Sequence, residues 1–152
     1  MGTGEKWQRF KELPDDLQDR LATLPALLAG EGVLIAYLFG STARDGSGQD
    51  VDLALLMPEG ERPYQLQEAI NQHLDTERVD IVDLRRASPF LRYEIMSTGS
   101  CIYEAAEHLH VDYELRWLRE YKDTAWLRRH QEQLLRDKLS TWSSNAKASA
   151  QD

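Results

Sequence analysis

The sequence predicts an α/β domain, a mixed sheet flanked by helices and finished by a C-terminal helix. Three observations carry that reading. Short β-rich apolar runs, Val33 to Phe39, Val51 to Met57 and Arg78 to Leu84, are separated by segments of helical period. Between the second and third runs, Leu66, Ala69, Ile70, His73 and Leu74 fall on one helical face, which makes a β-α-β unit between Asp52 and Asp80. The length, 152 residues, suits one domain with a modest core.

The elements follow in order. Leu17, Leu21, Leu24, Leu27 and Leu28 mark a helix entered at Pro14 and stopped by Gly30 and Gly32; Pro25 predicts a kink or a split into two pieces. Val33 to Phe39, bounded by Gly32 and Gly40, reads as a strand covered on both faces. Residues 40–49 form a glycine-rich connection into the second strand, which Pro58 ends, and Pro63 opens the next helix. After the third strand, Ser88 is placed to cap a helix with Pro89 at its first position and Gly99 at its stop. Cys101 to Glu104 predicts a fourth strand. From His108 to Leu139 no Gly or Pro interrupts a helical composition, and from Thr141 the small and polar residues predict a frayed tail. The organisation expected is therefore 1–32 helical, 33–106 the core, 107–140 a helical segment packing on the core or on a partner, and 141–152 a disordered tail.

Composition excludes several classes. The formal charge is −8, and residues 1–106, with 18 acids against 10 bases, hold the whole excess. Such a chain repels phosphate backbones, which argues against direct nucleic-acid or anionic-membrane binding. The longest apolar run is too short to span a bilayer, and Lys6 and Arg9 precede no apolar segment of a signal peptide. Cys101 is the single cysteine, so no intramolecular disulfide forms, and a cytoplasmic location is expected.

The chemistry concentrates at Asp50-Val51-Asp52. Side chains alternate along a strand, so Asp50 and Asp52 share one face while Val51, Leu53 and Leu55 take the other. Asp80 sits near the start of the next strand, and a helical crossover would run the two strands parallel with their starts at one sheet edge. Three converging carboxylates repel unless a cation neutralises them, and hard oxygen donors suit Mg²⁺ or Mn²⁺. The competing reading of Asp50 and Asp52 is a pair of solvated strand-edge residues. Upstream, Gly40 permits close approach to the backbone, Ser41 offers a hydroxyl and Arg44 a planar fork for phosphate. Taken alone, this loop also reads as a plain hairpin turn. No Gly-Lys-Ser/Thr triplet occurs, so it is not a Walker A loop.

Leu38-Phe39-Gly40-Ser41-Thr42-Ala43-Arg44, Asp50-Val51-Asp52-Leu53 and Val79-Asp80-Ile81-Val82-Asp83-Leu84 together resemble the nucleotidyltransferase superfamily related to the DNA polymerase β palm. The small size resembles its minimal members. Leu91 to Ile102 and Tyr121-Lys122-Asp123 resemble the MntA-type antitoxins paired with HEPN-domain toxins. The resemblance implies a polymerase β palm-like fold, with Gly40 and Ser41 on the β- and γ-phosphates of ATP. Asp50 and Asp52 would bind the metals, two Mg²⁺ ions, and Asp80 the metal near the α-phosphate. It also implies adenylate transfer to a tyrosine hydroxyl of a HEPN-type toxin, with pyrophosphate leaving. The alternatives are transfer to a small hydroxylated molecule, or a non-catalytic antitoxin that acts by binding. Two departures stand out. Eight residues, Thr42 to Gln49, separate Gly-Ser from Asp-x-Asp where the family often has ten, and Asp45 rather than glycine follows Arg44.

Outside this set, Asp83 is three residues from Asp80 and faces the other side of its strand. His108, His110 and Asp112 read as capping or solvated groups and His73 as a core-edge residue. The stripe Tyr113, Trp117, Tyr121 reads either as packing on the domain's own sheet or as a partner surface.

Overall fold

The computed structural model describes residues 11–45 and 48–150, with the side chains of 44 and 45 outside the description. Helix α1 (Leu17–Gly30) precedes strand β1 (Ile35–Phe39), from which the chain passes straight into the short helix α2 (Gly40–Asp45). Strand β2 (Val51–Leu56), a 3-10 turn at Pro63–Leu66, helix α3 (Gln67–Leu74) and strand β3 (Val79–Asp83) follow. Helix α4 (Pro89–Thr98), strand β4 (Ser100–Glu104) and helices α5 (Leu109–Asp123) and α6 (Ala125–Ser149) complete the chain.

The four strands form one mixed sheet in the order β3-β2-β1-β4. β1 runs antiparallel to β2 and β4, with a register shift against β4 between Ala36 and Tyr37. β2 and β3 are parallel, as the β-α-β reading requires, and Asp52 lies opposite Asp80. Strand parity divides the core. Val51, Leu53 and Leu55 pack with Leu21, Leu24 and Leu28 of α1 and Ile70 and Leu74 of α3. Ile35, Tyr37, Ala54 and Leu56 pack on the other face with Ile95 of α4 and Trp117 of α5. Across the first core, Thr23 of α1 and His73 of α3 share a hydrogen bond of 2.9 Å, and Arg20 Nη1 donates to the His73 carbonyl at 3.3 Å. His73 is thus the core-edge residue its position suggests.

Three expectations are corrected or refined. Pro25 does not split α1: it lies within a continuous helix, because Leu17, Leu21, Leu24 and Leu28 are buried on both sides of it. That packing outweighs the hydrogen bond which proline cannot give to the Leu21 carbonyl. The uninterrupted C-terminal helix is instead two, broken at Thr124, whose hydroxyl donates to the carbonyls of Glu120 and Tyr121 at 3.1 Å each. Arg128 reaches back to the Tyr121 carbonyl at 2.9 Å and sits over the Tyr121 ring, 3.7 Å from its centroid. Finally, residues 141–149 continue α6 as exposed helix where a disordered tail is expected.

The aromatic stripe is settled in favour of internal packing. Trp117 is 4% exposed, and Tyr113 tilts onto it at 5.7 Å between centroids. Tyr121 stacks on Tyr93 of α4 at 3.9 Å. The Tyr37 hydroxyl, beneath Trp117, donates to Glu114; burial first and this carboxylate second push its pKa far up, so it stays protonated. Glu104 at the end of β4 accepts from the backbone N–H groups of His108 at 3.2 Å and His110 at 3.1 Å and pairs with the His110 ring. The acceptor at the start of α5 is thus Glu104, and the side chain of His108, at the N-cap position, makes no capping bond.

Candidate active site

The site is built where β1 ends and β2 and β3 begin. Asp50 lies one residue before β2 and is buried, while Asp52 on β2 and Asp80 on β3 are half-buried. Asp50 and Asp52 share the sheet face that parity predicts, and the parallel register sets Asp80 beside Asp52. Each of the three offers a carboxylate oxygen, and these atoms lie within 4.8 Å of one another. On neighbouring β1, Phe39 is the register partner of Asp52, and Gly40 comes next.

Gly40 is required twice over. Its φ is +76°, a conformation costly for any residue with a Cβ, and a Cβ there would collide with Oδ2 of Asp52 and lie 3.1 Å from its Cγ. The backbone at the start of α2 therefore touches the carboxylate cluster. Ser41 follows in α2, half-buried. Arg44 belongs to α2 by its backbone, and its side chain lies outside the described residues.

Several residues that place the cluster carry no signal of their own in the sequence. Buried Thr42 donates its hydroxyl to the Asp50 carbonyl and so ties α2 to the head of β2. A Cβ on Gly48 would fall 2.5 Å from Oγ of Ser41 and 2.7 Å from the Thr42 nitrogen, so only glycine lets the loop close on α2. Arg78 Nη1 donates to the Gln49 carbonyl at 3.2 Å, and the Arg78 carbonyl accepts from Val51 N at 2.8 Å. Beside Gly40 a cleft of about 200 Å³ opens between Phe39 and α4, lined further by Leu91, Glu94, Ile95 and Thr98. A turn-forming Gly48 is visible in the sequence, but its closeness to Ser41 and Thr42 depends on the helical path of α2.

Asp83 is separate from the cluster. It is buried on the opposite parity, accepts from Arg85 N at 3.0 Å and lies 3.8 Å from Arg86 Nε, so it shapes the turn after β3.

A mixed α/β sheet with three carboxylates at one edge, beside a glycine-led helical turn, defines a phosphate-transfer protein of the palm type. The sequence model described as Polymerase beta, Nucleotidyltransferase matches residues 23–108, more than half of the chain, and the chain belongs to that family. No curated protein matches the chain significantly. Among solved structures, a chain of the complex between tri-AMPylated Shewanella oneidensis HEPN toxin and MNT antitoxin is similar at 23% identity. The match spans 81% of this chain and 98% of that one, with a TM-score of 0.60. A toxin–antitoxin complex with AMP-PNP matches at 23% identity and TM-score 0.61, over 78% of this chain and 98% of that one. The MntA–HepT toxin–antitoxin matches at 23% and 0.59, over 80% and 98%. At these identities the likeness establishes the fold.

Proposed function

We propose that this chain is a Mg²⁺-dependent adenylyltransferase that moves AMP from ATP to a tyrosine hydroxyl of a HEPN-type toxin in the cytoplasm and thereby acts as its antitoxin. The observation that carries the chemistry is the convergence of Asp50, Asp52 and Asp80 within 4.8 Å, in contact with the backbone at Gly40. The toxin–antitoxin complexes of the same fold, one with an AMPylated HEPN protein and one with AMP-PNP, support the choice of nucleotide and acceptor.

The residues present suit the cation. All three ligands are hard carboxylate oxygens, the donor set that Mg²⁺ takes together with substrate phosphates. Asp50 and Asp52 would hold the ions that accompany the triphosphate, and Asp80 an ion shared with the acceptor. Mg²⁺ bound there supplies charge neutralisation for the entering and leaving oxygens. The protein's own part is placement. Gly40 and Ser41 bring backbone and hydroxyl donors to the β- and γ-phosphates, and the cleft along Phe39 and Leu91 gives the nucleoside end an apolar wall. Asp80 takes the proton of the attacking tyrosine hydroxyl. The new bond joins that oxygen to the α-phosphorus, the bond from the α-phosphorus to the bridging oxygen breaks, and pyrophosphate departs with that oxygen.

The test is to mix the purified chain with a HEPN-domain protein from the same genome, in Mg²⁺-ATP, and measure intact mass and RNase activity. Stepwise gain of adenylate on a tyrosine with loss of RNase activity is expected, and Asp50→Ala or Asp52→Ala should abolish both. Neutralisation without any mass change, and equally by Asp50→Ala, would replace this reading with one of occlusion by binding.

A further inference from the structure

Among the described residues Arg78 is the only buried basic side chain, 9% exposed, and it lies at the sheet edge that carries the three carboxylates. In the parallel register Val51 faces Val79 and Asp52 faces Asp80. One step back, the same register sets Arg78 beside Asp50. The Val51 N–H donates to the Arg78 carbonyl at 2.8 Å, which carries the ladder to that point. Arg78 is two residues before Asp80, so parity gives both side chains one face of the sheet. Asp50 and Asp52 on one strand thus have Arg78 and Asp80 as their neighbours on the next.

The backbone there brings the guanidinium in. A further rung of the ladder would join the Arg78 N–H to the Gln49 carbonyl. That N–H donates to Oγ1 of Thr76 at 3.0 Å, and the Gln49 carbonyl accepts from Arg78 Nη1 at 3.2 Å. The guanidinium is therefore held against the peptide that leads into Asp50, itself only 7% exposed. A tie to one carbonyl does not require a charge. A buried cation is costly unless acids balance it, and three carboxylates within 4.8 Å of one another are costly unless a cation balances them. Set side by side, each reduces the cost of the other.

We propose that Arg78 is the resident counter-charge of the carboxylate cluster, a positioning residue that holds Asp50 beside Asp52 and Asp80 in the metal-free chain and moderates the cluster's attraction for divalent cations. This deepens the metal-binding part of the function proposed above and rests on it.

Two measurements on the full chain test it, using Arg78→Met, which removes the charge from a long side chain, and Arg78→Lys, which keeps the charge. The first is thermal unfolding in metal-free buffer. Arg78→Met should lower the melting temperature. Asp50→Asn should then be more favourable in that background than in the wild type, by roughly 3 °C or more, because a charge with no counter-charge is being removed. The second is Mn²⁺ binding followed by electron paramagnetic resonance. Arg78→Met should bind Mn²⁺ roughly tenfold more tightly than the wild type, and Arg78→Lys within roughly twofold of it. A tie to the Gln49 carbonyl alone would instead loosen Asp50 and weaken Mn²⁺ binding in Arg78→Met, and Asp50→Asn would have the same effect in both backgrounds. Either result overturns the proposal. Should Arg78→Met not fold, Arg78→Lys decides: an affinity within twofold of the wild type supports the counter-charge, and a larger change overturns it. Neither measurement involves nucleotide or toxin, so a failure of adenylate transfer is read separately. A wild-type chain that binds no Mn²⁺ would sink the metal reading itself, and the unfolding comparison would still judge the coupling of Arg78 to Asp50.

Discussion

Gly40→Ala tests the closest contact in the site. The residue has φ +76°, and placing an L side chain in that region costs about 1–2 kcal/mol. A second cost is local. The new methyl would occupy the space of Oδ2 of Asp52, and Asp52 is fixed in the ladder between Phe39 and Asp80. Its carboxylate must swing away from Asp50 and Asp80 or the end of β1 must shift. Gly60 supplies the control: its φ is +85°, and nothing lies within 4 Å of a Cβ built there. Gly60→Ala therefore carries the backbone cost alone.

For a chain of this size 1 kcal/mol moves the melting temperature by about 2–4 °C, so Gly60→Ala should lose about 2–8 °C in metal-free buffer and Gly40→Ala more. The ligand response should separate them. At a hundred times its dissociation constant, Mg²⁺-ATP stabilises the folded protein by about 2.7 kcal/mol, an upward shift of about 5–11 °C. Gly60→Ala should keep that shift in full and Gly40→Ala should lose most of it, together with transfer. Differential scanning fluorimetry with and without Mg²⁺-ATP reads both quantities. If Gly40→Ala keeps the full shift, contact between the α2 backbone and Asp52 is not what shapes the site.

Asp80→Asn removes one of three repelling charges, and two charges 4.8 Å apart repel by roughly 3.5 kcal/mol at an effective dielectric near 20. Metal-free stability should hold or rise while transfer and the Mg²⁺ increment disappear; retained transfer would sink the assignment of Asp80. Thr42→Val keeps the shape of the side chain but leaves the Asp50 carbonyl without its hydroxyl donor, and should cost about 1–3 kcal/mol in urea unfolding and loosen metal binding. An unchanged midpoint and metal affinity would count against the tie between α2 and β2. The His110 ring beside Glu104, helped by backbone N–H groups, holds its carboxyl below the usual range. A lowered carboxyl pKa means stability present above the unfolded value, about 4.3, and lost as pH falls through the folded one. The gap in urea midpoint between wild type and Glu104→Gln should be full at neutral pH and shrink toward pH 3, and a pH-independent gap would refute that coupling.

Much of this was legible because strand parity and crossover geometry act on few residues. Two aspartates at i and i+2, and a third on the next strand after one helix, suffice to place three carboxylates at one edge. Pro25 was not legible, because local propensity points to a break and only the burial of leucines on both sides reverses it. The break at Thr124 was hidden for the opposite reason. No Gly or Pro marks it, and the helix ends there through the Thr124 hydroxyl and the Arg128 side chain four residues on. Trp117 and Tyr121 announced an aromatic stripe, but whether it faced the sheet or a partner depended on where Tyr37 and Tyr93 stood in space.

The short connection between Ser41 and Asp50 shows how such a site tolerates a change in loop length. Eight residues must leave β1, make the turns of α2 and return antiparallel at the start of β2. Two contacts make that path close. The Thr42 hydroxyl holds the Asp50 carbonyl, which fixes where β2 begins, and the bare Gly48 lets the returning strand lie against Ser41 and Thr42. Any side chain at Gly48 would push the loop from α2 and, through Gln49, shift Asp50 relative to Asp80 across the ladder. Length is thus exchanged for packing. The carboxylates are placed by direct contact between the helix that begins at Gly40 and the strand that carries Asp52.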